Sequence, residues 1–273
     1  MVHSEHQLGM FFRKLMPSEK HLPRCVYHLT NAEKRMPANH GLKKSYQFWL
    51  ATVNCNASKV VERCPEAYIV NLYSTFAETF DKQLVNKLEY QTPTKLREMV
   101  DSIAEDSIVW ERAVDLGCGT GLSGSAFRDR VKCLIGVDLS PAMIAKADER
   151  QCYDQLHVGE LSTMLANRDE FDLIFSCDVF VYIGDLLEIF KSAKDSLKEG
   201  GLFAFSTEFL EEEIAGDCGY CVQACARFAH KQSYIEDLSE KVGFAILKFE
   251  ICSIRKNAGK YVQGILVVLQ NPP

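Results

Sequence analysis

The sequence has no long apolar run and no disulfide pattern, and both absences narrow the class of protein. No stretch approaches the roughly 18 consecutive apolar residues that cross a bilayer as a helix. Polar and charged residues interrupt the first 25 residues, so the apolar region of a secretory signal is missing. The 11 cysteines are odd in number and scattered, which is typical of a reducing compartment. We therefore expect a cytoplasmic protein, with a mitochondrial location as the alternative.

The chain also lacks an excess of basic residues and any repeat of fixed period. Its net charge is −6, which argues against a general nucleic-acid binder. The charge is uneven, because residues 1–44 contain eight Lys or Arg and only three Glu. This basic arm fits either a solvated tail or a docking segment for a protein partner. We predict no nucleic-acid partner and no membrane partner.

Apolar residues at helical spacing predict two amphipathic helices in the first third of the chain. One covers residues 42–53. The second begins near Pro65 and carries an aromatic stripe formed by Ile69, Tyr73, Phe76 and Phe80. Two roles are consistent with this stripe: packing in the core, or covering a bound ligand. We divide the chain into an extension, residues 1–64, and a main domain, residues 65–273.

From residue 112 onward, strand-like apolar runs alternate with helix-like segments. The predicted strands are 112–116, 131–138, 156–159, 171–177, 200–207, 244–254 and 261–269, and the predicted helices are 122–130, 141–149, 185–198 and 232–242. This alternation predicts an α/β fold with a mostly parallel, seven-stranded sheet covered on both faces. The last two strands are too close in sequence for a helical crossover, so they should form an antiparallel pair.

A glycine-rich loop between the first strand and its helix is the strongest functional signal. The apolar run 113–116 contains Asp115, and glycines follow at 117, 119 and 121. A strand, a glycine turn and a helix in this order allow a ligand to approach the backbone closely. Further distinctive residues end the next strands, namely Asp138, Gly159–Glu160 and Cys177–Asp178. Ligands of open parallel sheets bind at these carboxyl ends.

The spacing of these residues indicates a nucleoside ligand without phosphates. Asp138 lies about 20 residues after the first glycine, the distance at which a carboxylate binds a ribose. A dinucleotide loop needs a third small residue where this chain has Leu122, and no phosphate-binding lysine follows the loop. Both observations disfavour NAD and ATP. An NAD-dependent oxidoreductase is kept only as a weaker alternative.

Four motifs resemble those of class I S-adenosyl-L-methionine-dependent methyltransferases. They are DLGCGTG (115–121), GVDLSPAMIAKA (136–147), FDLIFSCDVFVYIGDL (171–186) and LKEGGLFAFSTE (197–208), and the resemblance extends over residues 66–270. Segments 68–90, 153–161 and 227–238 resemble the predicted methyltransferases that carry tetratricopeptide repeats, with helix 42–53 as the remnant of one repeat. The resemblance implies a Rossmann-like fold and methyl transfer to a small-molecule O, N or C acceptor. A non-catalytic regulatory subunit that binds the same cofactor is the alternative.

The resemblance also implies the cofactor contacts. Gly117 and Gly119 line the methionine part, with Asp115 near its amino end, and Asp138 binds both ribose hydroxyls. The other implied contacts are Leu139 and Met143 flanking the adenine, Glu160 and Leu161 at the adenine edge, Cys177 and Val179 beside the methionine, and Tyr73 with Phe76 and Phe80 as a lid. Position 160 departs from the family, which often has Asp there.

The acceptor side is less clearly marked in the sequence. Methyl transfer needs a base only if the acceptor starts protonated, and His230 is the candidate, with Arg227 to orient an anionic group. A packing role for His230 is the alternative. Asp178 and Tyr182 are weaker candidates on the loop after the fourth strand. The thiols Cys218, Cys221 and Cys225 lack a fourth zinc ligand unless His230 supplies it, so we predict reduced cysteines and no metal.

Overall fold

A nine-stranded sheet forms the frame of the part of the chain that the computed structural model describes. The described residues are 30–31, 33–35, 37, 43–53, 61–81, 84, 88–104, 109–166, 171–214, 218–257 and 259–273. The strands are β1 (Trp110–Leu116), β2 (Val131–Asp138), β3 (Gln155–Val158), β4 (Phe171–Ser176), β5 (Leu197–Phe209), β6 (Tyr220–Val222), β7 (Phe228–His230), β8 (Ala245–Asn257) and β9 (Lys260–Gln270).

The strand order confirms the predicted sheet. Strands β3, β2, β1, β4 and β5 lie side by side in that order and run parallel. Strand β9 pairs antiparallel with β5, and β8 pairs antiparallel with β9. The carboxyl ends of β1 to β5 and of β8 therefore meet at one edge of the sheet. Strand β9 alone of the predicted strands runs the other way.

Helices cover both faces of this sheet. They are α1 (Lys43–Val53), α2 (Glu66–Phe76), α3 (Thr92–Asp101), α4 (Leu122–Phe127), α5 (Pro141–Glu149), α6 (Leu161–Ala166), α7 (Leu187–Ser196) and α8 (Gln232–Val242). Helices α5 and α8 have the predicted bounds. Ser140 Oγ accepts a hydrogen bond from the Met143 N–H at 3.4 Å, so it caps α5 as its position before Pro141 predicts.

The sequence pattern predicts a loop over residues 209–226, and this prediction is wrong for β6, which forms a hairpin with β7. Its strands pair antiparallel, and β7 extends the sheet beside Glu208 and Phe209 at the end of β5. Each strand has only three residues. A run this short cannot display the alternation of apolar and polar residues by which a strand is recognised in a sequence.

Three apolar clusters hold the layers together. Phe180, Phe190 and Phe203 belong to the cluster on one face of the sheet. Phe127 and Phe175 stack on the opposite face, with ring centroids 4.2 Å apart. The third cluster joins helix α1 to the hairpin.

Helix α1 packs against the main domain. Phe48 and Trp49 are almost fully buried, and the Phe48 ring lies 6.2 Å from the Phe228 ring of the hairpin. The predicted division at residue 64 stays a prediction, as does docking through the basic arm, most of which lies outside the described residues. Within the described ranges, no helix combines the length and the apolarity needed to cross a bilayer.

Candidate functional site

A cavity of about 420 Å³ opens at the carboxyl ends of the parallel strands. Its volume is in the range of small-molecule sites. Nine of the predicted site residues line it: Tyr73, Gly117, Gly119, Asp138, Leu139, Glu160, Leu161, Cys177 and Val179. Asp115, Met143 and His230 do not line it.

The glycine loop needs glycine at each of its three positions. Gly117 has φ of +76°, and a Cβ there would collide with the Val179 side chain. Gly119 has φ of +53° with open space around its Cα, so its backbone faces the cavity. Gly121 adopts the left-handed conformation immediately before α4. These φ values are strained for residues with a side chain, and the close approach at 117 adds a steric reason.

Asp138 connects this loop to the end of β2. Its Oδ2 accepts a hydrogen bond from the Gly119 N–H at 3.0 Å, and its Oδ1 accepts one from the Ser140 N–H at 2.8 Å. Burial raises the pKa of Asp138, while these two bonds lower it. The carboxylate lines the cavity with lone pairs left for a ligand, because each oxygen can accept more than one hydrogen bond.

Asp115 lies beneath the loop and not on the cavity wall. It is fully buried, and its Oδ2 accepts hydrogen bonds from Ser123 Oγ at 2.5 Å and Tyr153 Oη at 2.7 Å. Its Oδ1 has no hydrogen-bond partner among the described residues. Burial raises the pKa of Asp115 to about 7. The predicted contact at Met143 is also displaced, since Met143 is buried in α5 below the cavity.

Gly124 supplies the close helix–strand packing that a dinucleotide loop places at the position of Leu122. The Gly124 N–H donates to Tyr153 Oη at 3.1 Å, and a Cβ on Gly124 would overlap the Tyr153 ring. Tyr153 thus packs against Gly124, next to the loop, and its hydroxyl also donates a hydrogen bond to Asp115. The sequence interpretation did not identify Gly124 because it looked for a small residue two positions earlier.

Glu160 and Leu161 follow β3 at the far end of the cavity. Arg63 Nη1 lies 3.6 Å from Glu160 Oε2, whereas the buried Glu160 Oε1 has no hydrogen-bond partner among the described residues. Burial and the neighbouring Glu66 raise the pKa of Glu160, and Arg63 lowers it. Glu160 therefore lines this end of the cavity with one buried carboxyl oxygen that no described residue engages.

The aromatic stripe of α2 faces the cavity. Ile69, Tyr73, Phe76 and Phe80 all line it. Burial raises the pKa of Tyr73 well above its usual value, and the hydroxyl groups of Tyr73 and Tyr182 are 2.7 Å apart.

The far end of this segment is tied to the glycine loop. Thr120 Oγ1 donates to Asp81 Oδ1 at 2.6 Å, and Arg150 forms an ion pair with the same carboxylate. The stripe and its anchor at Asp81 together close one side of the cavity.

The structure does not bring His230 to the cavity. The ring is fully buried, with Nδ1 2.6 Å from Thr207 Oγ1 and Nε2 3.0 Å from the Gly184 carbonyl oxygen. A carbonyl can only accept, so Nε2 carries the proton and Nδ1 accepts from the Thr207 hydroxyl. Burial lowers the pKa of His230 to about 4. Both nitrogens are engaged within the protein, and the prediction that His230 is the base is therefore corrected to a packing role.

Asp178 and Tyr182, the candidates on the loop after β4, line the cavity, as does Arg227, which was predicted beside His230. Asp178 has φ of +58°, a conformation that costs energy in a residue other than glycine and that clusters at functional sites. Its carboxylate accepts from Thr92 Oγ1 at 3.2 Å and from Ser206 Oγ at 3.1 Å.

Sequence reasoning missed several residues of the cavity, including Tyr90, Arg255 and Asn257. Arg255 lies near the end of β8, and its side chain is only 4% exposed. The signal available in the sequence was a cationic residue following an apolar strand. The predicted strand ended at residue 254, which left Arg255 outside it.

The three clustered cysteines have different environments. Cys221 is buried, Cys218 is half-buried and Cys225 is exposed. In the described ranges, no group of three or more His, Cys, Asp or Glu side chains is placed to hold a metal ion.

Comparison with known proteins shows a similarity to methyltransferases over the middle of the chain. Residues 114–205 match the model of the family described as "Methyltransferase domain". Malonyl-[acyl-carrier protein] O-methyltransferase of Serratia marcescens is 30% identical over 97 residues, which are 36% of this chain and 38% of that protein. Trans-aconitate 2-methyltransferase of Rhizobium rhizogenes is 35% identical over 96 residues, 34% of this chain and 37% of that protein. The match thus spans less than two thirds of either relative's length.

A solved structure extends the similarity to the fold. The S-adenosylmethionine-dependent methyltransferase from Clostridium acetobutylicum superposes with a TM-score of 0.55 over 74% of this chain and 100% of its own, at 24% identity. The predicted Rossmann-like architecture is confirmed. Residues 114–205 match the methyltransferase-domain model, and the described part of the chain shares its Rossmann-like fold with this class of S-adenosylmethionine-dependent methyltransferase structure.

Proposed function

We propose that this chain transfers a methyl group from S-adenosyl-L-methionine to a small-molecule acceptor. The observation that carries the proposal is the cavity itself, in which the glycine loop, the Asp138 carboxylate and the aromatic stripe of α2 face one another. A cavity this enclosed suits a small ligand better than a surface groove would.

The residues present fit this cofactor. The cavity holds open space beside Gly119, where the backbone comes close to a ligand. Asp138 offers a carboxylate to a ribose diol, whereas Asp115 is buried beneath the loop, where it binds Ser123 and Tyr153. Glu160 Oε1 is suited to accept from an adenine amino group.

The reaction requires mainly that the protein align the methyl donor with the acceptor. When bound, S-adenosyl-L-methionine supplies a methyl group on a positively charged sulfur, which is displaced in line by the acceptor. The chain's residues hold both partners and exclude water, and such positioning lowers a barrier without covalent catalysis. For an acceptor that starts protonated, we assign Asp178 as the residue that takes the proton, because it lines the cavity and His230 does not.

Calorimetric titration tests the cofactor part of the proposal. S-adenosyl-L-methionine and its demethylated product should bind with dissociation constants below about 1 mM, whereas NAD should give no heat of binding. The exposed-residue variant Asp148→Asn should bind like the parent protein. Absence of binding by both sulfur ligands would refute the proposal.

Transfer of radiolabelled methyl into a cell extract, fractionated by size, tests the reaction. Label in the small-molecule fraction supports the proposal. Label confined to macromolecules contradicts the acceptor class, and cofactor binding with no transfer would favour the alternative of a non-catalytic regulatory subunit.

Finer assignments from the sequence belong to the same proposal. We propose that the chain is related to the methyltransferases with tetratricopeptide repeats, which segments 68–90, 153–161 and 227–238 support. We also propose a cytoplasmic location, which the scattered cysteines support. Helix α1 packs against the β6–β7 hairpin, so its apolar face is already covered within this chain.

A further inference from the structure

Two arginines face the cavity at the end opposite Glu160. Arg227 directly precedes β7, and Arg255 lies near the carboxyl end of β8. Both line the cavity, next to Asp178 at the end of β4. This end lies across β1 from Asp138 and Glu160, which follow β2 and β3, so it faces the acceptor side of the proposed reaction.

Neighbouring acids balance the charge of these arginines. Arg255 Nη2 forms an ion pair with Glu208 Oε1, and Arg227 Nη1 lies 3.8 Å from the same oxygen. Asp178 Oδ2 lies 3.9 Å from Arg255 Nη1, too far for a hydrogen bond. Two cations therefore face two anions.

The hydrogen bonds are not balanced in the same way. Arg255 Nη1 is buried and has no hydrogen-bond partner among the described residues. Both Asp178 oxygens are already engaged by Thr92 and Ser206. A buried charged donor without a partner destabilises the folded protein, so a ligand that supplies an acceptor here recovers the missing interaction.

The missing partner has the chemistry of a carboxylate. Arg255 Nη2 is already paired with Glu208, so one carboxylate oxygen would accept from Arg255 Nη1 and the other from the Arg227 guanidinium. A phosphate would bring a second negative charge beside Asp178 and Glu208, which already neutralise the arginines. Burial of the site penalises that excess charge more than it penalises a single one.

We propose that Arg255 and Arg227 bind a carboxylate of the methyl acceptor, and that the acceptor is therefore a small carboxylic acid. The inference rests on the proposed function. In this proposal the carboxylate lies at the carboxyl ends of β4, β5 and β8. The rest of the acceptor lies along the apolar stripe of α2, between Phe76 and Tyr182, which line the cavity.

Ligand titrations into protein saturated with the demethylated cofactor test this assignment. The probes are benzoate and hexanoate, their uncharged amides, and inorganic phosphate, followed by ligand-observed NMR and calorimetry. At least one carboxylate should bind at about 1 mM or below, at least tenfold more tightly than its amide and than phosphate. No carboxylate binding, or equal binding of acid and amide, would overturn the inference.

Matched variants locate the binding. Arg227→Met removes one cation, and Arg255→Lys keeps the charge opposite Glu208 but loses the planar fork. Each should weaken carboxylate binding about tenfold and leave affinity for the demethylated cofactor unchanged. Lys191→Met, an exposed change of the same charge outside the cavity, should change neither affinity.

The same variants separate the two proposals. If Arg227→Met and Arg255→Lys weaken cofactor binding as much as carboxylate binding, the arginines hold the cofactor's own carboxylate and the inference is wrong. If the parent protein binds no cofactor at all, the proposed function fails first, and that failure is visible before any acid is added.

Discussion

Asp138 and Asp115 are acids on neighbouring strands, and their hydrogen bonds give them different roles. Asp138 accepts two backbone N–H groups and still faces the cavity. Asp115 is fully buried, and burial raises its pKa to about 7. The first presents acceptor lone pairs to the cavity. The second lies beneath the glycine loop and accepts hydrogen bonds from Ser123 and Tyr153.

Replacing Asp138 by Asn should weaken cofactor binding. The amide has one acceptor oxygen in place of two, so its NH₂ group must face either the Gly119 or the Ser140 N–H. We expect the affinity for the demethylated cofactor, measured by calorimetry, to fall about ten- to a hundredfold. Asp148→Asn removes the same charge on the exposed side of α5 and serves as the control. An unchanged affinity in Asp138→Asn would contradict the assigned ribose contact.

His230 should make the free energy of unfolding depend on pH. Its folded-state pKa of about 4 lies below the usual 6.5, because burial disfavours the charged ring. The unfolded chain therefore takes up a proton first, and stability is lost as the pH falls from about 6.5 towards 4, by about 3 kcal/mol in all. In His230→Gln this dependence is absent.

Urea unfolding of both proteins between about pH 4 and pH 7 measures the effect. The difference in unfolding free energy between parent and His230→Gln should shrink as the pH falls. Other buried groups, including Asp115, titrate in both proteins and cancel in the difference. A difference independent of pH would show that the ring titrates normally.

At the scale of a single residue, the sequence predicted several residues that line the cavity. Gly117, Gly119 and Asp138 carry their signal in local spacing, because a turn and the strand before it are neighbours along the chain. The pairing of Arg255 with Glu208 carries no such signal, since 47 residues separate them and only the sheet brings them together. The prediction for His230 was wrong for a different reason. A histidine close to an arginine in sequence suggests a catalytic role, whereas its burial depends on the hairpin, which the sequence pattern does not show.

At the scale of an element, the best predicted parts are the ones with several independent signals. Helix α5 has a capping serine, a proline in its first turn and a periodic apolar face, and its bounds agree exactly with those predicted. The β6–β7 hairpin has none of these signals. It is stabilised by pairing with β5 and by the aromatic residues of α1, which lie more than 150 residues away in sequence.

Truncation of Phe48 tests how strongly α1 holds the hairpin. The side chain is fully buried between Trp49 and Phe228. Phe48→Ala should lower the free energy of unfolding by about 3–5 kcal/mol, because it removes apolar contacts and leaves a cavity. Lys44→Ala on the exposed face of α1 should change it by less than about 0.5 kcal/mol. Equal effects of the two changes would mean that α1 is not part of the folded unit.

At the scale of the whole molecule, the cavity is assembled from two sources. The glycine loop, Asp138 and Asp178 lie within residues 114–205, the segment that matches the methyltransferase-domain model. The stripe of α2, Arg227 and Arg255 lie outside it. Binding at a site assembled from both should therefore stabilise the molecule as one unit.

Chemical unfolding with and without ligand checks this expectation. At about 100 times its dissociation constant, the demethylated cofactor should raise the free energy of unfolding by about 2.7 kcal/mol. Probes of α1, through Trp49 fluorescence in a Trp110→Phe background, and of the sheet, through circular dichroism, should report the same shift. A shift seen by only one probe, or an equal shift with NAD, would contradict the assembled site.

The hairpin between β5 and α8 bears on how such a protein diversifies. It begins after the last residue shared with the methyltransferase domain family, and it carries Arg227 to the cavity without touching the glycine loop. Related proteins can therefore have a longer, shorter or different hairpin while the glycine loop and Asp138 stay the same. Related chains would then be expected to agree in the loop that precedes α4 and to diverge at the turn before Arg227, with each new turn admitting a different acceptor.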